Sequence, residues 1–225
     1  MRLRKIFPIM KCLETVNSDR LISCLLSSIS LKMPFTPTHI LAVLPVHFTF
    51  RRLSLSALVV GTMIPDFTMF YPISDYHFSH SGVGLIGYCL PAGLLIYYLW
   101  ELYGKILAID LCPLWVRCRI NDYRNIKPQY EPIDLFMIAI AILIGSLTHI
   151  VWDAFTHESR WGVELIPSLK QTFEIFNIAL PGYKVFQYGS TSIGLPLLAV
   201  LCFFYLNRIQ TSGDLNYHFC DILSS

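Results

Sequence analysis

Between Leu135 and Trp152 the chain runs without a single charged side chain, and Asp134 and Asp153 bracket the run. A bilayer core of about 30 Å takes roughly 20 apolar residues of helix, so this segment is just long enough to span. Two further stretches have the same character. Val83 to Tyr103 carries only Glu101, near its end, and Pro91 is expected to kink it. Val185 to Asn207 carries no charge at all. Only 14% of the residues are charged and 54% are hydrophobic, against roughly 25% charged in soluble domains. An all-α, polytopic membrane bundle with at least three transmembrane helices follows. A net charge of +2 without a dense basic stripe gives no footing for nucleic acid.

Two shorter apolar runs, Ile40 to Phe50 and Leu53 to Pro65, are split by Arg51-Arg52. An arginine at the bilayer centre costs roughly 2.5–3.5 kcal/mol on insertion scales, so one helix does not pass through the pair. The two runs are read as re-entrant or interfacial helices packed on the bundle. Residues 1–32 differ from the rest. They hold six Lys or Arg, but polar "ETVNSDR" separates the basic start from the apolar "LISCLLSSISL". With no A-x-A site following, a signal peptide does not fit. Residues 1–32 are read as a non-native or disordered extension before a start at Met33, 33–207 as the membrane domain and 208–225 as a polar tail. Seven scattered cysteines fit no disulfide framework.

The run from Leu135 continues into "LTHIVWDAFTH", which sets His149, Asp153 and His157 four residues apart. On a helix that spacing stacks them on one face. The first two spans are antiparallel if their loop stays on one side, so the start of one meets the end of the other at one membrane boundary. That places His80, in "HFSHS", level with His149 and Asp153. Asp66, in "PDF", precedes the same span, and His39, in "PFTPTHI", joins if the short runs fold back as a hairpin. His157 is read as a boundary residue and His47 as packing. The intervening loop, 104–132, holds five Lys or Arg against three in 154–184, a mild bias that puts the first loop in the cytoplasm.

Imidazole nitrogen and carboxylate oxygen are the ligands of catalytic zinc and also suit iron or manganese. Zinc lowers the pKa of a bound water to roughly 7, and a spare carboxylate can serve as base. His39, Asp66, His80, His149 and Asp153 are thus candidate ligands of a divalent metal ion, with Asp66 and Asp153 also candidates for catalysis. The sequence has no G-x-S-x-G, G-x-x-x-x-G-K-[ST] or H-E-x-x-H motif.

From Met33 onward the chain resembles a bacterial integral-membrane family catalogued as domain of unknown function forty-one eighty-four. The matching pieces are "MPFTPTH", "LSLSALVVGTMIPDF", "HS" before an apolar span, "GSLTHIVWDAFTH" and "LPGYKVFQYGSTSIGL". More distantly, the order is similar to the H…PD…HS…SHxxxD of membrane-bound metal-dependent hydrolases of the LexA-binding inner-membrane type, with Thr148-His149 here where the wider pattern has Ser-His. That likeness implies a bacterial inner (plasma) membrane location. It also implies a hydrolase acting at the membrane surface on a lipid or phosphoester, with His39, Asp66, His80, His149 and Asp153 as metal ligands. The rival reading is a non-catalytic membrane protein whose polar cluster holds the bundle together, binds a partner or handles metal.

Overall fold

The computed structural model describes residues 36–70, 75–127, 130–175 and 178–209. Residues 1–32 and nearly all of the 208–225 tail lie outside the described residues. A helical turn at Thr36–His39 leads into α1 (Ile40–Thr49), and a tight reversal at Arg51-Arg52 leads into α2 (Leu55–Phe70). These form a helical hairpin, as the two split apolar runs suggested. At 1.5 Å per residue α2 is about 24 Å long, short of a 30 Å core. The hairpin returns the chain to where it began, so His39 and Asp66 share one end of the bundle.

Among the described residues, three helices are long and apolar enough to cross a membrane: α3 (Gly82–Leu111), α4 (Pro132–Thr156) and α5 (Gly182–Arg208). Their apolar side chains stay exposed along much of their length. In water that would be an aggregation hazard; in lipid it is the expected outer surface. Just before Pro91, where a kink was expected, the helix forms a π-helical turn, Leu85–Cys89. The wider turn accommodates a ring that would otherwise crowd the preceding carbonyls. A second π turn, Trp100–Gly104, contains Glu101, which is buried and paired with Lys105 at 2.8 Å. That partner satisfies the buried acidic charge of the span.

The bundle centres on α2, which packs along α4 and against α3. Both α2 and α4 carry a small residue four before a glycine, Ala57/Gly61 and Ala141/Gly145, the spacing that lets helices approach closely in lipid. A Cβ at Gly61 would lie 2.4 Å from the Ile142 carbonyl oxygen, and one at Gly145 only 2.3 Å from that of Leu58. Gly145→Val is therefore expected to force the helices apart, at a cost of about 1–3 kcal/mol. Thermal unfolding of the purified variant checks this, and an unchanged midpoint would contradict the close crossing. Pro65, inside α2, lacks the N–H that would have met the Gly61 carbonyl. Ser146 of α4 donates its hydroxyl to that carbonyl at 3.0 Å, so the proline's defect becomes an interhelical bond. Val43, Leu58, Ile64, Tyr88, Ile138 and Ile142 fill the core around this crossing.

Between α4 and α5 the sequence reading expected only a loop. The structure forms short helical turns at Trp161–Leu165 and Pro167–Lys170, then an antiparallel hairpin of β1 (Thr172–Ile175) and β2 (Ile178–Pro181). Cys89, Cys112 and Cys202 are free thiols. Cys118 is disulfide-bonded, a pairing the scattered cysteine positions did not suggest.

Candidate metal centre

Each candidate side chain is delivered by a local device. Asp75 caps the turn Tyr76–Ser79, its Oδ2 accepting the N–H groups of His77 and Phe78, as Asp does at helix starts. The Ser79 hydroxyl donates to the Pro65 carbonyl at 2.9 Å, tying this turn to α2 one residue from Asp66. His80 closes the turn, and its Nδ1 lies 3.0 Å from the Tyr76 carbonyl oxygen. A carbonyl can only accept, so Nδ1 carries a proton, which leaves Nε2 as the nitrogen that could face an ion. His149 and Asp153 come from the last two turns of α4, stacked at i and i+4.

Four of these groups converge. One ligand atom from each of Asp66, His80, His149 and Asp153 lies within 4.8 Å of that from every other. His80 Nε2 is 3.4 Å from Asp66 Oδ1 and 3.5 Å from Asp153 Oδ2. His149 Nε2 is 3.4 Å from each of the same two oxygens. A tetrahedral ion with bonds of about 2.0–2.2 Å sets its ligand atoms about 3.3–3.6 Å apart. Four of the six edges have that length.

The site is also buried. His149 is fully buried, and Asp66 and Asp153 are 1% and 2% exposed. Among the described residues, His80 Nε2, His149 Nε2 and Asp153 Oδ1 have no hydrogen-bond partner, and buried polar atoms in folded proteins almost always have one. Two carboxylates this deep need compensating positive charge, which protons on the imidazoles or one divalent cation can supply. The Asp66, His80, His149 and Asp153 group could hold a metal ion.

His39 lies one layer out. Its ring stacks on His149 with centroids 4.3 Å apart, and its Nε2 is 3.8 Å from Asp153 Oδ1. Burial and the neighbouring His149 hold His39 down to about 4, so its imidazole is neutral at pH 7. His157 follows the end of α4 with Nδ1 3.6 Å from Asp153 Oδ2, while its Nε2 meets Gln187 of α5 at 3.3 Å. It borders the cluster, in line with its reading as a boundary residue. His47 faces the Leu53 carbonyl at 3.0 Å, away from the site as expected.

Sequence reasoning missed Tyr76. Its hydroxyl donates to Asp153 Oδ2 at 3.5 Å and its ring lies 4.0 Å from that of His80. Burial and the charge of Asp153 push its phenol above the ordinary range, so it remains a donor at neutral pH. Arg160 lies over the opposite side of this network, 5.2 Å from the Tyr76 ring centroid. The only signal for Tyr76 in the sequence was its place four residues before His80.

Residues 33–223 match the family described as "Domain of unknown function (DUF4184)". The chain belongs to this family. No curated protein and no solved structure matched the chain, so the family supplies no named chemistry and the site must be read from its own geometry.

Proposed function

We propose that this family member is a metal-dependent hydrolase with its site at one membrane boundary, acting on a lipid or other phosphoester in a bacterial inner membrane. The observation that carries the reading is the buried set of two carboxylates and two imidazoles, with ligand-atom spacings of 3.4–3.5 Å and unpartnered nitrogens. Asp66, His80 and His149 hold the ion, Asp153 serves as ligand or as base, and His39 stands by as a further imidazole. Zinc suits this nitrogen–oxygen set best, with iron or manganese as alternates; when bound, such an ion supplies Lewis-acid charge and acidifies water.

The chain's own residues do the rest. Asp153, with Oδ1 unpartnered, accepts the proton of an attacking water. As the water oxygen joins phosphorus and the bond to the leaving oxygen breaks, the same proton is passed to that oxygen. Tyr76 holds the other carboxylate oxygen and fixes its direction. Tyr76→Phe is expected to lower turnover about tenfold while metal content stays intact; equal turnover would remove Tyr76 from this role. The direct test is hydrolysis of p-nitrophenyl phosphodiesters by protein reconstituted with zinc, iron or manganese. Activity that disappears with a chelator and returns with the ion supports the reading. No metal-dependent turnover on any ester contradicts it.

A further inference from the structure

A cavity of about 860 Å³ is lined at one place by His39, whose ring stacks on His149 of the candidate metal centre. His39 and Trp152 form its inner end, and Trp152 directly precedes the ligand-bearing Asp153. From there it runs along α5, whose Phe186, Gly189, Ile193 and Leu197 recur at three- and four-residue spacing and so line a single helix face. Leu41 of α1 supplies the facing wall. Gly182 to Leu197, both on the wall, are fifteen residues apart, about 22 Å of helix. α5 starts at the same boundary where α4 ends, so the groove descends from the site into the hydrocarbon, where one leaflet is about 15 Å deep. Glu174 is the one charged residue on its wall, and it is exposed.

Outside the groove lining, the surroundings of the cluster have a different character. Arg160 lies over the Tyr76 ring, and its Nη2 is buried without a hydrogen-bond partner. Lys184 bonds Gln187 at 2.9 Å, and Gln187 in turn meets His157 beside Asp153. Arg160 thus reaches the cluster through Tyr76, and Lys184 through Gln187 and His157.

We infer that the substrate is a lipid phosphoester whose acyl or alkyl chain lies in the α5 groove while its anionic head sits between the His/Asp cluster, Arg160 and Lys184. This rests on the hydrolase reading above and specifies its substrate class. The groove is built mainly on the spanning helix α5 and reaches the His/Asp cluster through His39, which stacks on His149 and lies 3.8 Å from Asp153, so a chain entering from the bilayer brings its head to that side of the cluster. Burying methylenes there gives a long-chain ester a binding advantage that a short one lacks.

A Cβ at Gly189 would meet nothing within 4 Å, so Gly189→Trp has room to fold while its ring fills the groove. The test compares ethyl and hexadecyl p-nitrophenyl phosphodiesters on the metal-loaded full chain, in detergent below saturation. The expected kcat/KM ratio favours hexadecyl by at least about tenfold, and Gly189→Trp brings the ratio towards unity with metal content unchanged. A ratio near unity in the parent, or one that Gly189→Trp leaves unaltered, overturns the groove while the hydrolase reading stands. If neither ester is hydrolysed, the hydrolase reading fails instead, and the groove is judged by labelling. A photoactivatable hexadecyl phosphate should then mark residues 186–197, with unlabelled hexadecyl phosphate competing. Labelling spread evenly round α5, or insensitive to competitor, overturns the inference.

Discussion

Asp153→Asn should lower phosphoester turnover about a thousandfold, within the range a positioned general base supplies, while the protein still folds and inserts. Asparagine keeps the shape of the side chain and a carbonyl oxygen but cannot take the water's proton and carries no charge for a cation. Asp153 has neighbours on every side: His149 and His80 at 3.4 and 3.5 Å, His39 at 3.8 Å and Tyr76 at 3.5 Å. If the cluster were only a structural network, the same change would leave buried partners unmatched and lower the folded yield. Turnover, metal content and monodisperse yield of the variant separate the two. Lost turnover with normal yield supports the site; lost yield with no activity in the parent supports the network.

Chelation should have an effect of similar weight on stability. An ion that binds the native cluster and not the unfolded chain stabilises by about 4 kcal/mol at a thousand times its Kd, roughly a 10 °C shift for a chain of this size. Removing the ion leaves Asp66 and Asp153 to be neutralised by imidazole protons alone, in a site where His149 is fully buried. The midpoint of thermal unfolding is therefore expected to fall on chelation and to recover with zinc, iron or manganese. In an Asp66→Asn/Asp153→Asn variant the chelator should have no effect. A parent midpoint indifferent to chelator and metal would count against an ion in this cluster.

Much of this was legible in the chain because its strongest signals are local. Three apolar runs, two of them uncharged and one with the single charge of Glu101, mark the long helices through hydropathy alone. The i, i+4 spacing puts His149 beside Asp153 whatever the rest of the fold does. Bringing in Asp66 and His80 needed only that consecutive spans reverse direction and that Arg51-Arg52 break the first hairpin. Features that depend on pairs of distant groups stayed hidden. Ser146 reads as one more small residue in an apolar helix until the carbonyl freed by Pro65 lies opposite it. Tyr76 reads as a loop aromatic until the Asp75 cap turns it towards Asp153. The strands β1 and β2 span four residues each, too short for an alternating pattern to stand out. The groove along α5 is likewise invisible in sequence, since its floor of glycine and serine and its apolar walls all look like ordinary membrane helix.

The central claim is that these four side chains bind one ion, and elemental analysis of the detergent-purified chain tests it most directly. Measured beside a His149→Ala/Asp153→Ala variant, the parent should carry zinc, iron or manganese in near-stoichiometric amount, and the variant should be folded and metal-free. No metal in the parent, even after reconstitution with each of the three ions, would contradict the account.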